Sequence, residues 1–316
     1  MRVCVYGAGA VGLGLASCLI KADTQVDIIA RPVTVEALKA EGLIRSGLFG
    51  DFYAQPEQFG SYCSLNQVAQ KGYDFVIVST KSFDSAAAAK DLSMHKQLLR
   101  DDGRIVLFQN GWGNAEKFLE YFKPQQIYSA RVITGFSRRA PNEVEITVHA
   151  DAIHIGSLFR CDVSRTQALC ESITKGGIDC RLSESIEKDL WAKMLYNCLL
   201  NPTGAILGVH YGRLAEVDCT RRLMNTLAEE VFSVMTTAGY STYWNCADDF
   251  LEVFYGRLVP DTAQHKSSML QDIMAGKKTE IDALNGAVLA LAERYAVPAP
   301  HNQAVYELIK FMEVKT

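Results

Sequence analysis

Apolar and polar positions follow two rhythms along this chain, and the first half switches between them repeatedly. A short apolar run at 3–6 predicts a buried strand, and the spacing of Val11, Leu15, Leu19 and Ile20 predicts a helix directly after it. Further apolar runs at 25–30, 75–79 and 104–108 predict strands, while 35–41, 85–90 and 114–122 carry the helical spacing. Residues 42–54 are broken by glycines and suggest a β excursion. Strand and helix alternating in this way predict an α/β domain with a doubly wound, mostly parallel sheet. Segments 143–148 and 152–155 alternate residue by residue, as antiparallel strands do. A helical stretch at 163–175 and a short strand at 180–182 follow. Beyond residue 185 the strand rhythm stops. Long helical patterns cover 185–201, 215–238, 246–257, 279–295 and 301–312. The expected domains are therefore 1–184, α/β, and 185–316, all-α.

The turn between the first strand and helix is Gly7-Ala8-Gly9-Ala10-Val11-Gly12. In a strand–turn–helix context, G-x-G-x-x-G has a mechanism. The first glycine allows the turn, the second lets backbone N–H groups approach a pyrophosphate, and the third lets helix and strand pack closely. The helix N-terminus then faces the anion with its positive dipole end. A glycine-rich turn without a ligand is the bland alternative, but the strand at 25–30 closes the βαβ unit at the length the fingerprint requires. An NAD site places a carboxylate at the end of that strand to accept from the ribose 2′-OH. Asp27 comes too early for this, and Arg31 stands at the discriminating place. A guanidinium suits a 2′-phosphate, so NADPH is the expected cofactor, against the alternative of an ordinary solvated arginine. Lys81, just after the strand 75–79, is expected at a phosphate or in an exposed loop.

Composition narrows the field. The chain has 316 residues, 48% hydrophobic and 22% charged, with a net charge of −4. That is ordinary globular composition, and nothing in it invites nucleic acid. Nine cysteines are scattered without C-x-x-C pairs or zinc-like spacing with histidine. They suggest free thiols in a reducing, cytoplasmic setting, with no metal site. The pattern of elements begins at residue 2, so no leader peptide is expected, and no apolar stretch reaches the ~18–20 residues of a membrane span.

Candidate chemistry lies in the helix predicted at 185–201. Lys193, Asn197 and Asn201 recur every four residues, a step that drifts only ~40° around a helix, so they form one polar stripe on an otherwise apolar element. The stripe faces solvent, bonds neighbouring helices, or lines a cleft where an amine and two amides orient an oxygen-rich ligand. Asn201 before Pro202 is expected to end the helix. Asn110, in the turn after the strand 104–108, and the segments 265–272 and 277–282 could meet the stripe. Glu280 has the alternative of a simple charge beside a helix N-terminus.

Taken together, these segments resemble the ketopantoate reductase family (2-dehydropantoate 2-reductase) over nearly the whole chain. The marks are Gly7-x-Gly9-x-x-Gly12, Arg31, Ser79-Thr80-Lys81, Gln109-Asn110-Gly111, Lys193-x-x-x-Asn197-x-x-x-Asn201-Pro202, Ser267-Ser268-Met269-x-Gln271-Asp272 and Thr279-Glu280-Ile281-Asp282-x-x-Asn285-Gly286. The resemblance implies an N-terminal Rossmann-type domain and a C-terminal all-α domain with the active site between them. It also implies NADPH-dependent reduction of a 2-oxo acid in pantothenate and coenzyme A biosynthesis. Lys193 is then the general acid, and Glu280 helps hold the substrate and the lysine. Asn197, Asn201 and Ser268 bind the substrate, and Asn110 lies near nicotinamide and substrate. Arg31 and Lys81 face the 2′-phosphate. The helical domain could supply a homodimer face. Tyr211 stands where some members carry a substrate-facing asparagine, so a reductase of another 2-oxo acid is an alternative, and a non-catalytic NADPH sensor a further one.

Overall fold

A computed structural model of the protein describes residues 1–69 and 71–315; residue 316, the expected end of the second domain, lies outside them. The chain divides into two compact units. One comprises Met1–Gln109 and Asn114–Ile186, and the other comprises Asn110–Gly113 and the chain from Glu187 onward.

The first unit opens with β1 (Arg2–Tyr6), α1 (Ala10–Lys21), β2 (Gln25–Ile29) and α2 (Pro32–Glu41). Next come β3 (Leu43–Gly47), β4 (Phe52–Ala54), β5 (Gly60–Tyr62), β6 (Tyr73–Val78), α3 (Ser85–Met94) and β7 (Leu99–Leu107). It closes with α4 (Asn114–Leu119), β8 (Ile127–Arg131), β9 (Thr134–Ala140), β10 (Glu143–His149), β11 (Ile153–Gly156), α5 (Gln167–Lys175) and β12 (Cys180–Ser183). Among the described residues, eight strands form one sheet in the order β12-β11-β8-β7-β6-β1-β2-β5. From β5 to β8 neighbours are parallel, while β11 runs antiparallel to β8. The β5-β2-β1-β6-β7-β8 portion reproduces the 3-2-1-4-5-6 order of the Rossmann-type dinucleotide fold, with the order reversing between β1 and β6. Continuous apolar strands belong in such a sheet because both faces are covered. Val3 and Val5 enter one apolar cluster, and Cys4, between them, enters the other.

A second, four-stranded sheet runs β4-β3-β10-β9. The alternating segments at 143–148 and 152–155 do each find an antiparallel neighbour, but in different sheets: β10 beside β9 and β11 beside β8. Sequence rhythm missed β8 and β9. β8 is wholly buried although it carries Ser129 and Arg131, the latter paired with Asp151 at 2.8 Å. β9 is rich in polar residues and owes its conformation to pairing with β10.

The second unit is helical: α6 (Ile186–Leu207), α7 (Tyr211–Glu216), α8 (Asp218–Thr237), α9 (Ala247–Val253), α10 (Val259–Asp261), α11 (Ser268–Met274), α12 (Asn285–Tyr295) and α13 (Pro300–Lys315). No helix among the described residues is long and apolar enough to cross a membrane. The expected helix at 279–295 is shorter, because Leu284 adopts φ −102° and ψ −104°, and α12 starts only at Asn285. The expected end at Asn201 is also corrected: α6 runs through Pro202 to Leu207. A proline inside a helix leaves the carbonyl four residues earlier without its donor. That carbonyl belongs to Cys198, and Asn285 Nδ2 donates to it at 3.2 Å. A side chain from α12 thus replaces the missing backbone bond.

Candidate active site

The glycine turn of the first unit has the form a dinucleotide needs. Gly7 sits at φ +106°, and a side chain there would meet Thr80 N at 2.8 Å. At Gly12 a Cβ would lie 2.0 Å from Gly7 O and 2.6 Å from Ser79 Oγ. The turn is pinned to the end of β6 by Ser79 Oγ, which donates to Gly7 O at 2.7 Å. Gly9 differs, since a Cβ would meet only Ser79 O at 3.9 Å. The helix α1 has neither a capping side chain at Gly9 nor an acidic residue in its first turn. Its leading N–H groups are therefore available to an anion. Ala8 is buried beneath them. This cradle fits a pyrophosphate, and Lys81 follows β6 at the point where the strand order reverses.

Asp27, in the middle of β2, is engaged inside the unit. Arg2 Nη2 approaches it at 2.5 Å and Tyr73 OH donates to it at 2.7 Å. Arg31 is the N-cap residue of α2 and is exposed, with no acidic side chain in that helix's first turn and no carboxylate partner among the described residues.

In the second unit, α6 holds the predicted stripe. Trp191, Met194, Leu195 and Cys198–Leu200 are buried, so apolar packing fixes the helix and Lys193 is only half-buried. Lys193 Nζ donates to Asn110 Oδ1 at 2.5 Å, and Asn110 Nδ2 donates to Glu280 Oε2 at 3.1 Å. The amide thus lies between an amine and a carboxylate, and its two ends are matched to their charges. Glu280, 7% exposed, is far more enclosed than a helix-end charge would be. The turn carrying Asn110 is fastened by Trp112 N, which donates to Ala283 O at 2.8 Å. Trp112 also packs on Trp191 and Tyr240, with ring centroids 4.9 and 4.8 Å away. Sequence reasoning did not find this aromatic clamp.

The two asparagines of the stripe differ. Asn201, 5% exposed, accepts from Tyr211 OH at 2.6 Å, so one of them does bond a neighbouring helix. Tyr211 is itself buried, and burial pushes its phenol pKa well above the ordinary value, which keeps it a donor. Asn197, 8% exposed, makes no side-chain hydrogen bond among the described residues. Ser268 is the exposed first residue of α11, whereas the buried Ser267 caps that helix by accepting from Leu270 N at 3.0 Å. Among the described residues no cluster of His, Cys, Asp and Glu is suited to a metal ion.

A Rossmann-type unit with an open glycine cradle, and a helical unit carrying an amine, amide and carboxylate in one hydrogen-bonded row, define a nicotinamide-type oxidoreductase. Residues 3–159 match the family described as Ketopantoate reductase PanE/ApbA, and residues 185–313 match Ketopantoate reductase PanE/ApbA C terminal. A 2-dehydropantoate 2-reductase of Aquifex aeolicus (strain VF5) is 34% identical over 315 residues, 99% of this chain and 97% of that protein. The solved PanE/ApbA family ketopantoate reductase from Ralstonia eutropha JMP134 is 27% identical with a TM-score of 0.86, covering 100% of this chain and 99% of its own. D-mandelate dehydrogenase, solved with NADH and anilino(oxo)acetate, shares the fold at a TM-score of 0.88 and 21% identity, covering 100% and 99%. The chain belongs to the ketopantoate reductase family.

Proposed function

We propose that this chain reduces 2-dehydropantoate to pantoate with NADPH, in the route to pantothenate and coenzyme A. The observation that carries the reading is the row Lys193, Asn110, Glu280. NADPH supplies the hydride. As the carbonyl is reduced, negative charge gathers on its oxygen, and an ammonium beside that oxygen stabilises it and then donates a proton. Lys193 takes this role and regains its proton from solvent. Asn110 aims the amine through its carbonyl oxygen, and Glu280 holds the other end of the amide so that it cannot turn over without losing both bonds. Asn197, Asn201 and Ser268 bind the carboxylate and hydroxyl groups of the substrate.

NADPH is favoured over NADH by the end of β2. No carboxylate stands there to receive a 2′-OH, since Asp27 lies earlier in the strand and is engaged with Arg2 and Tyr73, and Arg31 offers a guanidinium instead. D-mandelate dehydrogenase uses the same fold with NADH, so residues at this position and not the fold decide the cofactor. Lys81 adds a second positive charge. All nine cysteines are free, which suits a cytoplasmic setting.

A second reading, a reductase of another 2-oxo acid, is favoured by one observation: Tyr211 ties up Asn201 Oδ1. A panel of 2-oxo acids assayed with NADPH and with NADH separates the readings. The expected result is the highest kcat/KM for 2-dehydropantoate with NADPH. A different best acid supports the second reading, equal use of both cofactors removes the Arg31 argument, and NADPH binding without turnover of any acid leaves only a sensor.

A further inference from the structure

A second arginine is fastened to the helix turn that begins at Arg31. Arg138 lies on β9, where it pairs with Val144 of β10. Its guanidinium reaches back across the chain to α2. Nη2 donates to Thr34 Oγ1 at 2.6 Å and to Pro141 O at 2.9 Å, and Nε donates to Ala140 O at 3.2 Å. Thr34 is buried in the first turn of α2, and its N–H bonds to Arg31 O at 2.9 Å. The guanidinium of Arg138 is therefore fixed on the helix turn that Arg31 begins.

A guanidinium has five N–H donors. Three of those on Arg138 are engaged in anchoring, and the Nη1 pair has no partner among the described residues. Neither Arg138 nor Arg31 forms an ion pair with a carboxylate among these residues, and α2 has no acidic side chain in its first turn. Burial, and then the charge of Arg31, lower the Arg138 pKa, so each cation feels the other. Like charges placed together without an acid repel, and a dianion beside both relieves the repulsion. The anchoring is also specific in kind. A surface arginine held by no one pays rotamer entropy to bind, whereas this one is already held with one edge free.

We propose that Arg138 is a second guanidinium of the adenosine 2′-phosphate site, presented by the small sheet beside Arg31, so that a pair of arginines selects the phosphorylated dinucleotide. This rests on the reading of Arg31 given above and adds a residue from a different element. Arg138 is a binding residue in this account and takes no part in hydride or proton transfer.

The test uses the full-length protein and two fragments of the cofactor, 2′,5′-ADP and 5′-AMP, titrated by calorimetry. The wild type is expected to bind 2′,5′-ADP at least tenfold more tightly than 5′-AMP. Arg138→Ala should weaken 2′,5′-ADP by about tenfold, a charge-assisted contact, and leave 5′-AMP within twofold. Arg138→Lys, which keeps the charge and loses the fork, should lie between and covers the case in which the alanine variant does not fold. If Arg138→Ala binds 2′,5′-ADP as well as the wild type while Arg31→Ala does not, the proposal fails and Arg31 stands. Equal weakening of both fragments means a structural role and also overturns it. A wild type with no preference between the fragments removes the reading of Arg31 together with the proposal.

Discussion

Replacing Asn285 by alanine tests whether a side chain maintains α6 through Pro202. Asn285 Nδ2 donates to Cys198 O at 3.2 Å and to Asn302 Oδ1 at 3.0 Å, and both asparagines are fully buried. Leaving the Cys198 carbonyl without a donor costs about 1–3 kcal/mol, and losing the bond to Asn302 about 1 kcal/mol more. In a Pro202→Ala background, residue 202 has its own N–H to offer Cys198, so only the Asn302 share remains. The gain in helix propensity from removing proline, ~3 kcal/mol, is the same with and without Asn285 and cancels in the cycle. The four proteins should therefore show a coupling of about 1–3 kcal/mol between the positions, outside the ~0.5 kcal/mol within which independent sites add. The assay is equilibrium unfolding in urea followed by tryptophan fluorescence. Trp112, Trp191 and Trp244 all lie in the helical unit, so the signal reports that unit. If the two substitutions are additive, Asn285 does not replace the missing backbone bond.

Two further outcomes follow from named contacts. Tyr211→Phe removes the phenol that donates to Asn201 Oδ1 and so holds that amide in place; KM for the 2-oxo acid should rise about tenfold with kcat within about threefold, and steady-state kinetics with an unchanged KM would contradict the substrate-binding role given to Asn201. Glu230 supplies a pH prediction. Burial alone would raise its pKa, but the N–H groups of His301 and Asn302 and their side chains outweigh that and lower it below 4.5. A carboxylate lowered on folding stabilises the protein above its unfolded value and loses that contribution as pH falls through the folded one. The fluorescence-detected stability should drop below pH 4.5, and the drop should be shallower in Glu230→Gln; identical slopes would refute the assignment.

Much of the first unit is legible in the sequence because its signals are local. Gly7 and Gly12 sit where no side chain fits, and Val3, Cys4 and Val5 are apolar because both faces of the sheet are covered. The stripe of Lys193, Asn197 and Asn201 is likewise a property of one helix. The sequence offers Asn110 and the segment 277–282 as neighbours of the stripe, but not the bonds that join such distant groups. Asn110 meets Lys193 across 83 positions and Glu280 across 170, and Arg138 meets Thr34 across 104. β9 has no alternation to announce it, since its polar residues are set by a neighbouring strand. Pro202 is the instructive case. Its sequence signal for a helix end is sound, yet an asparagine far along the chain supplies the donor that lets the helix continue. A proline within an apolar helical run, followed by a buried asparagine elsewhere, is the trace such an arrangement leaves.

The account stands on the amine of Lys193 acting on the substrate oxygen. The direct measurement is 2-dehydropantoate-dependent oxidation of NADPH by Lys193→Ala, alongside the NADPH affinity of the same variant. We expect kcat to fall by about 10²–10⁴, the scale of a lost general acid, with NADPH binding within threefold of the wild type. A variant that turns over within threefold of the wild type would show that the proton comes from elsewhere.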